Sequence, residues 1–257
     1  MSRDEVAATG TRAPAVRQAF LVLDELCESP GGLRLNEVLQ RVDLPKSTVH
    51  RILRTLVEVG AVVHQPRSGT YRIGPGMAVY SRHVVSAGTG LLGMFYALAE
   101  QLRDTWDETV QLGVLTGTEV TFIAHVDTCQ PVRLFTRVGR RLPAHASATG
   151  KALLALRGSA ELDAVLATGL PALTPRTVGD AEQFRAQLAE VRTRGYATEV
   201  EEAAANLSCY SAPVLGGDGR ALAAVTVCVA NNAVPADRAG QLADAVVRTA
   251  AEMSRHL

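Results

Sequence analysis

Lys46, Ser47, Thr48, His50, Arg51 and Arg54 interleave with Val49, Ile52, Leu53 and Leu56. Apolar residues spaced at three and four positions share one face of a helix, which leaves the cations and hydroxyls on the other. That polar face has the chemistry of a helix that reads DNA. Cations and hydroxyls fix register on phosphates, and one or two side chains reach base edges in the major groove. The positive N-terminal end of such a helix attracts phosphate further. Arg67 and Arg72 follow in a β-prone segment and are placed to clamp neighbouring backbone or the minor groove. Taken alone, the same face also fits the solvated side of an ordinary helical domain.

A second group centres on Ser147-Ala148-Thr149-Gly150. A serine at an N-cap leaves the N–H groups of Ala148, Thr149 and Gly150 facing an incoming ligand, an anion site that needs no cation. Two other chemistries are poorly supported. Cys209 with His145 or His125 has the residue types of a thiol nucleophile and its base, but no nucleophile elbow or paired-carboxylate spacing accompanies them. His125, Cys129, His145 and Cys209 are metal-ligand types without metal-ligand spacing. No enzymatic activity, metal or cofactor is therefore expected.

The elements that must position these residues are legible in the spacing. Met1–Ala13 reads as a disordered tail. Val16, Ala19, Phe20, Leu23 and Leu26 mark a first amphipathic helix, and Pro30-Gly31-Gly32 stops it. A short helix is expected over Asn36–Val42, with Val38, Leu39 and Val42 facing inward. Asp43-Leu44 then forms a tight turn in which Asp takes the left-handed conformation. Pro45 suits the first position of the third helix, and Gly60 its C-terminal stop. Val62–His64 and Thr70–Ile73 flank Pro66-Arg67-Ser68-Gly69 as a hairpin. Three helices and a hairpin make a winged helix-turn-helix, expected over residues 14–76.

A linker helix is expected over 77–90, Met77–Ala87 broken by Gly88-Thr89-Gly90, and a second domain over 91–257. Expected strands there are Thr109–Leu115, Val120–Val126, Arg133–Phe135, Tyr196–Glu199, Leu207–Val214 and Leu222–Val229. Expected helices are Leu91–Asp104, Ala148–Leu156, Ala160–Ala167, Ala181–Arg194 and Ala236–Arg255. Gly216-Gly217-Asp218-Gly219 predicts that the last two strands form an antiparallel hairpin. The fold class is α/β in two domains.

Composition is consistent with this. The 257 residues are 47% hydrophobic, enough for a core in each domain. Net charge is zero, which excludes a uniformly basic coat, yet residues 12–76 hold nine basic against six acidic side chains. The four cysteines show no CxxC pairing and read as reduced thiols of a cytoplasmic protein. Neither a signal peptide nor a membrane span is apparent: the longest apolar run, Ala221–Ala230, is about half of what a span needs.

Several long motifs resemble the isocitrate lyase regulator (IclR) family of bacterial transcription regulators. They are Leu44-Pro45-Lys46-Ser47-Thr48-Val49-His50-Arg51-Ile52-Leu53, Tyr71-Arg72-Ile73-Gly74-Pro75, the run from Val138 to Ala155, Arg194-Gly195-Tyr196, Glu201-Glu202 and Cys209. The resemblance spans nearly the whole chain from Val16. It implies a GAF-like, antiparallel-sheet effector-binding domain, and a homodimer or dimer of dimers on a pseudo-palindromic operator in double-stranded DNA. It also implies a small organic effector, often a carboxylate, in a pocket matched here by Glu199, Leu207, Cys209, Thr226 and Cys228. Repression is the commoner mode in the family, and some members activate. Four departures stand out. Gln18 replaces a usual Arg, Asn206 a usual Gly and Ala203-Ala204-Ala205 bulkier residues, and Val229-Ala230-Asn231-Asn232 lacks a usual Gly-Pro. An Asn can still take the left-handed conformation that Gly would.

Overall fold

The computed structural model describes residues 13–79, 89–130, 138–230 and 235–257. The expected tail up to residue 12, linker residues 80–88 and the expected strand Arg133–Phe135 lie outside them. The chain divides into two compact units between Gly88 and Thr89.

The first unit contains α1 (Pro14–Cys27), β1 (Leu33–Arg34), α2 (Leu35–Arg41), α3 (Lys46–Glu58), β2 (Val62–Gln65) and β3 (Thr70–Ile73). Val22, Leu26, Val38, Val49, Leu53 and Val62 make its core, all essentially inaccessible to solvent. Pro45 is the N-cap of α3 rather than its first residue, because its ψ of 142° is extended. Its carbonyl accepts the N–H groups of Thr48 and Val49 and so starts the helix. The turn between α2 and α3 also differs from expectation. Asp43 is not left-handed. Val42 is already extended, and the Leu44 N–H donates to the Val42 carbonyl at 3.0 Å. A turn closed over one intervening residue needs no positive φ.

Gly60 does take the left-handed conformation after α3, with φ of 74°. Gly74 and Gly76 then approach it so closely that a Cβ on either would lie 2.4–2.5 Å from the Gly60 carbonyl oxygen. The sheet order is β1-β3-β2, all antiparallel. The two residues of β1 are too few for any alternation to show in the sequence.

The second unit contains α4 (Thr89–Trp106), β4 (Thr109–Thr116), β5 (Glu119–Val126), β6 (Arg141–Pro143), a 3₁₀ turn (Ala144–Ala146), α5 (Ala148–Ala155), α6 (Ser159–Ala167), α7 (Ala181–Arg194), β7 (Ala197–Val200), β8 (Ser208–Leu215), β9 (Ala221–Val229) and α8 (Ala236–Ser254). The strands form one antiparallel sheet in the order β6-β5-β4-β9-β8-β7. β8 and β9 are the expected hairpin, with Gly219 at φ 74° in its turn. Gly90, expected in a helix break, lies inside α4. A helical glycine costs about 1 kcal/mol, which the burial of Phe95, Ala99 and Leu102 on the same helix outweighs.

Strand alternation then sorts the side chains. Val110, Leu112, Tyr210, Ala212, Val225 and Val227 pack under α4 and α8 with Phe95, Leu242 and Val246. Cys209, Ala224 and Cys228 face the other way, toward Ala148, Ala152 and Leu153 of α5. Among the described residues, no helix is long and apolar enough to cross a membrane.

Candidate functional site

On α3 the apolar stripe Val49, Ile52, Leu53 and Leu56 is buried, while Lys46, Ser47, His50, Arg51 and Arg54 are exposed. Thr48 is half-buried beside them. Arg54 pairs with Glu58 one turn on, at 2.9 Å, on an exposed surface where such a pair contributes little. Arg67 is exposed at the tip of the β2–β3 wing and Arg72 is exposed on β3. Arg34, which no spacing marks in the sequence, donates its Nε–H to the Ser68 carbonyl at 3.1 Å and ties β1 to the wing tip.

In the second unit a cavity of about 130 Å³ lies between the sheet and the first turn of α5. Ala148, Thr149, Glu199, Leu207, Cys209, Thr226 and Cys228 all line it. Gly150 does not. Its N–H donates to Ser147 Oγ at 3.0 Å, which makes Ser147 the expected N-cap but withdraws that N–H from any ligand. Gly150 is there for close packing: a Cβ would lie 2.1 Å from the Ala144 carbonyl oxygen.

Gln111, Phe122, Arg140 and Leu142, which the spacing does not single out, complete the wall with Ala203–Ala205, whose departure from the family pattern points to the pocket border. The signal for Gln111 was its position on β4, opposite Thr226 in register. The three alanines are small side chains on this wall. Asn206 is left-handed, with φ of 59°, as the replacement of a glycine requires. The walls are apolar with a few convergent polar groups, the usual form of a small-molecule site.

The polar groups are held in fixed orientations. Thr149 Oγ1, Thr226 Oγ1 and Ser211 Oγ form a chain with spacings of 2.7 and 2.8 Å. Glu199 is 2% exposed. Its Oε2 accepts the N–H groups of Glu202 and Ala203, and its Oε1 is buried with no hydrogen-bond partner among the described residues. Burial raises the Glu199 carboxyl above its ordinary range, against the pull of those N–H donors. Nearby, Lys151 is buried and ion-paired to Glu202. Glu199 also borders a more open polar cleft of about 350 Å³ with Lys151, Arg176, Arg194 and Glu202. There Lys151 and Arg176 are engaged by Glu202 and Glu201, whereas the smaller cavity sets a few polar groups in apolar walls.

Cys209 has Cys228 and Glu199 as neighbours, not a histidine, and its thiol is pushed well up by Cys228 and by burial. His145 is occupied elsewhere, with Nε2 at 3.1 Å from the Pro171 carbonyl. The thiol–imidazole pair considered from the sequence does not assemble. Among the described residues, no group of three or more His, Cys, Asp or Glu side chains is arranged to hold a metal ion.

Comparison with known proteins fits this geometry. The chain is 32% identical to the HTH-type transcriptional regulator XynR of Escherichia coli (strain K12), over 83% of this chain and 84% of the relative. It is 29% identical to the HTH-type transcriptional repressor AllR of Klebsiella pneumoniae, over 95% and 90% respectively. The crystal structure of an IclR homolog complexed with 4-hydroxybenzoate, from Microbacterium hydrocarbonoxydans, superposes with a TM-score of 0.75 at 26% identity, covering 95% of this chain and 98% of that one. Family models for the IclR helix-turn-helix domain and the bacterial transcriptional regulator IclR C-terminal domain match residues 15–66 and 86–255. With its helix-turn-helix unit followed by an antiparallel-sheet domain, the chain belongs to the IclR family of bacterial transcriptional regulators.

Proposed function

We propose that the chain is a ligand-responsive repressor of a catabolic operon, whose hold on DNA is set by a small organic carboxylate in the α5–sheet cavity. The observation that carries the effector half is the cavity itself, where the first turn of α5, Arg140 and Glu199 meet apolar walls. A helix N-terminus and a guanidinium favour an anion, and the volume favours a small one. The repressor named AllR and the 4-hydroxybenzoate complex among its relatives support the same direction.

Lys46, Ser47, Thr48, His50, Arg51 and Arg54 would contact the operator, with Arg67 and Arg72 on the wing. Ala148, Thr149, Glu199, Leu207, Cys209, Thr226 and Cys228 would contact the effector. The regulator would work in the cytoplasm as a homodimer or dimer of dimers, each dimer on a pseudo-palindromic site. An effector that binds one arrangement of the dimer better shifts it, and DNA affinity follows by linkage.

A thermal-shift screen with small carboxylic acids, 4-hydroxybenzoate among them, identifies the effector. Titrations of that acid with and without the promoter fragment beside the gene should then show the same coupling factor in both directions. Independent affinities would defeat the mechanism. Arg51→Ala, on an exposed position, should weaken duplex binding without unfolding the protein. If Arg51 contacts phosphate, the salt slope falls by about 1. Unchanged binding would remove α3 as the reading helix.

A further inference from the structure

Cys209 on β8 and Cys228 on β9 are directly opposed in the sheet, and their Sγ atoms lie 3.3 Å apart. Opposed residues on antiparallel strands have Cα atoms about 4.5–5.5 Å apart. That falls inside the span of about 4.4–6.8 Å that a disulfide bridges. Both cysteines are free thiols. Glu199 on β7 opposes Cys209 from the other side, so the three side chains form one rung across β7, β8 and β9. Cys209 and Cys228 are only 6% and 4% exposed, but both border the cavity, as does Glu199 with its unpartnered oxygen. A small oxidant that enters the cavity therefore meets two thiols and a carboxylate together.

We propose that Cys209 and Cys228 are an oxidisable dithiol, closed into a cross-strand disulfide by a small peroxide admitted to the cavity. The thiols need no backbone rearrangement to meet, because the strand register already opposes them. In the first step Cys209 Sγ attacks one peroxide oxygen and the O–O bond breaks. The Cys209 proton passes by way of Glu199 to the departing hydroxide, leaving water and a sulfenic acid. In the second step Cys228 Sγ attacks the Cys209 sulfur and the S–O bond breaks. The hydroxide leaves with the Cys228 proton as a second water. Two thiols are oxidised to one disulfide and one peroxide is reduced to two waters.

The carboxylate has a reason to take part. A buried neutral thiol is a poor nucleophile, and a base held against it restores its reactivity. Closing the bond draws the sulfurs to about 2.05 Å and removes the thiol hydrogens from the cavity wall beside Glu199. Oxidation would therefore alter effector affinity, a consequence that rests on the effector reading above.

The test uses full-length protein with the two exposed cysteines removed (Cys27→Ser, Cys129→Ser), treated with hydrogen peroxide. The expected product is a monomer lighter by two hydrogen atoms, with Cys209 and Cys228 cross-linked in one proteolytic peptide and both thiols restored by dithiothreitol. Glu199→Gln should slow the closure at least ~10-fold, within the range of a lost general base. Two thiols that still alkylate fully after unfolding would overturn the proposal, as would sulfinic acid without a cross-link. Closure at an undiminished rate in Glu199→Gln would overturn the carboxylate's part. None of these readouts involves an effector or DNA, so failure here leaves the regulatory reading standing, and the reverse also holds.

Discussion

Thr149 Oγ1 and Thr226 Oγ1 lie 2.7 Å apart, joining the first turn of α5 to β9 across 77 residues of chain. The Thr226 hydroxyl hydrogen is engaged by Ser211 Oγ, whose own hydroxyl donates to the Val225 carbonyl. Thr149 must therefore donate to Thr226, and what Thr149 Oγ1 retains is acceptor capacity. The helix that offers backbone N–H groups to the cavity is thus anchored to the sheet by a directed chain of hydroxyls.

Thr226→Val should remove that anchor. Thr149 loses its acceptor and Ser211 its donor, in a region that is almost wholly buried. Unsatisfied buried hydroxyls predict a loss of about 1–3 kcal/mol in denaturant unfolding. A stability equal to wild type would mean that cavity water satisfies both groups.

Gly150→Ala separates packing from ligand contact. The added Cβ would meet the Ala144 backbone, which cannot swing aside as a side chain can. Overpacking of this kind costs about 1–3 kcal/mol, so the melting temperature should fall with no ligand present. Gly93→Ala in α4 is the control. It meets nothing within 4 Å and should be neutral or stabilising by up to about 1 kcal/mol.

The Lys151–Glu202 pair predicts an asymmetric result. Burial lowers the Lys151 pKa and Glu202 works against that shift. Removing one partner of a buried pair costs about 3–5 kcal/mol, because the other charge is stranded. Lys151→Met alone should therefore unfold at much lower denaturant. Adding Glu202→Leu should recover part of the loss, but not all, since Glu202 Oε2 also accepts the Val178 N–H at 3.3 Å. A double variant no better than the single would show that this N–H contact outweighs the charge.

His145 predicts the pH dependence of stability. Its pKa is lowered from 6.5, chiefly by burial, with the Pro171 carbonyl and Glu202 opposing the shift and Lys151 adding to it. The unfolded chain then binds the extra proton more readily than the native one, so this contribution is intact above pH 6.5 and is lost as pH falls below it. Melting temperature measured through that window should drop more steeply for wild type than for His145→Gln, which keeps a donor and cannot titrate. Parallel curves would remove His145 as the source.

Local patterning made much of the fold legible. The stripe Val49-Ile52-Leu53-Leu56 identified the buried side of α3, and hence the exposed cations, because helical period alone sets which residues share a face. The turn at Gly216–Gly219 revealed the β8–β9 hairpin, and Ser147 revealed the cap of α5, because both are short-range chemistry. The misplacements were equally local. The turn at Asp43 needs no left-handed residue, because the Val42–Leu44 bond closes it. The Gly150 N–H does not reach a ligand, because the cap absorbs it.

Residue types and spacing thus determined which faces are apolar, where helices start and which groups are able to bind an anion, since these depend on neighbours within a turn or a hairpin. Only the tertiary structure decided which of those groups meet. Lys151 finds Glu202, Thr149 finds Thr226, and Glu199, Cys209 and Cys228 align in one rung. Those pairings depend on sheet order and register, and a shift of one residue would turn every side chain of a strand to the opposite face.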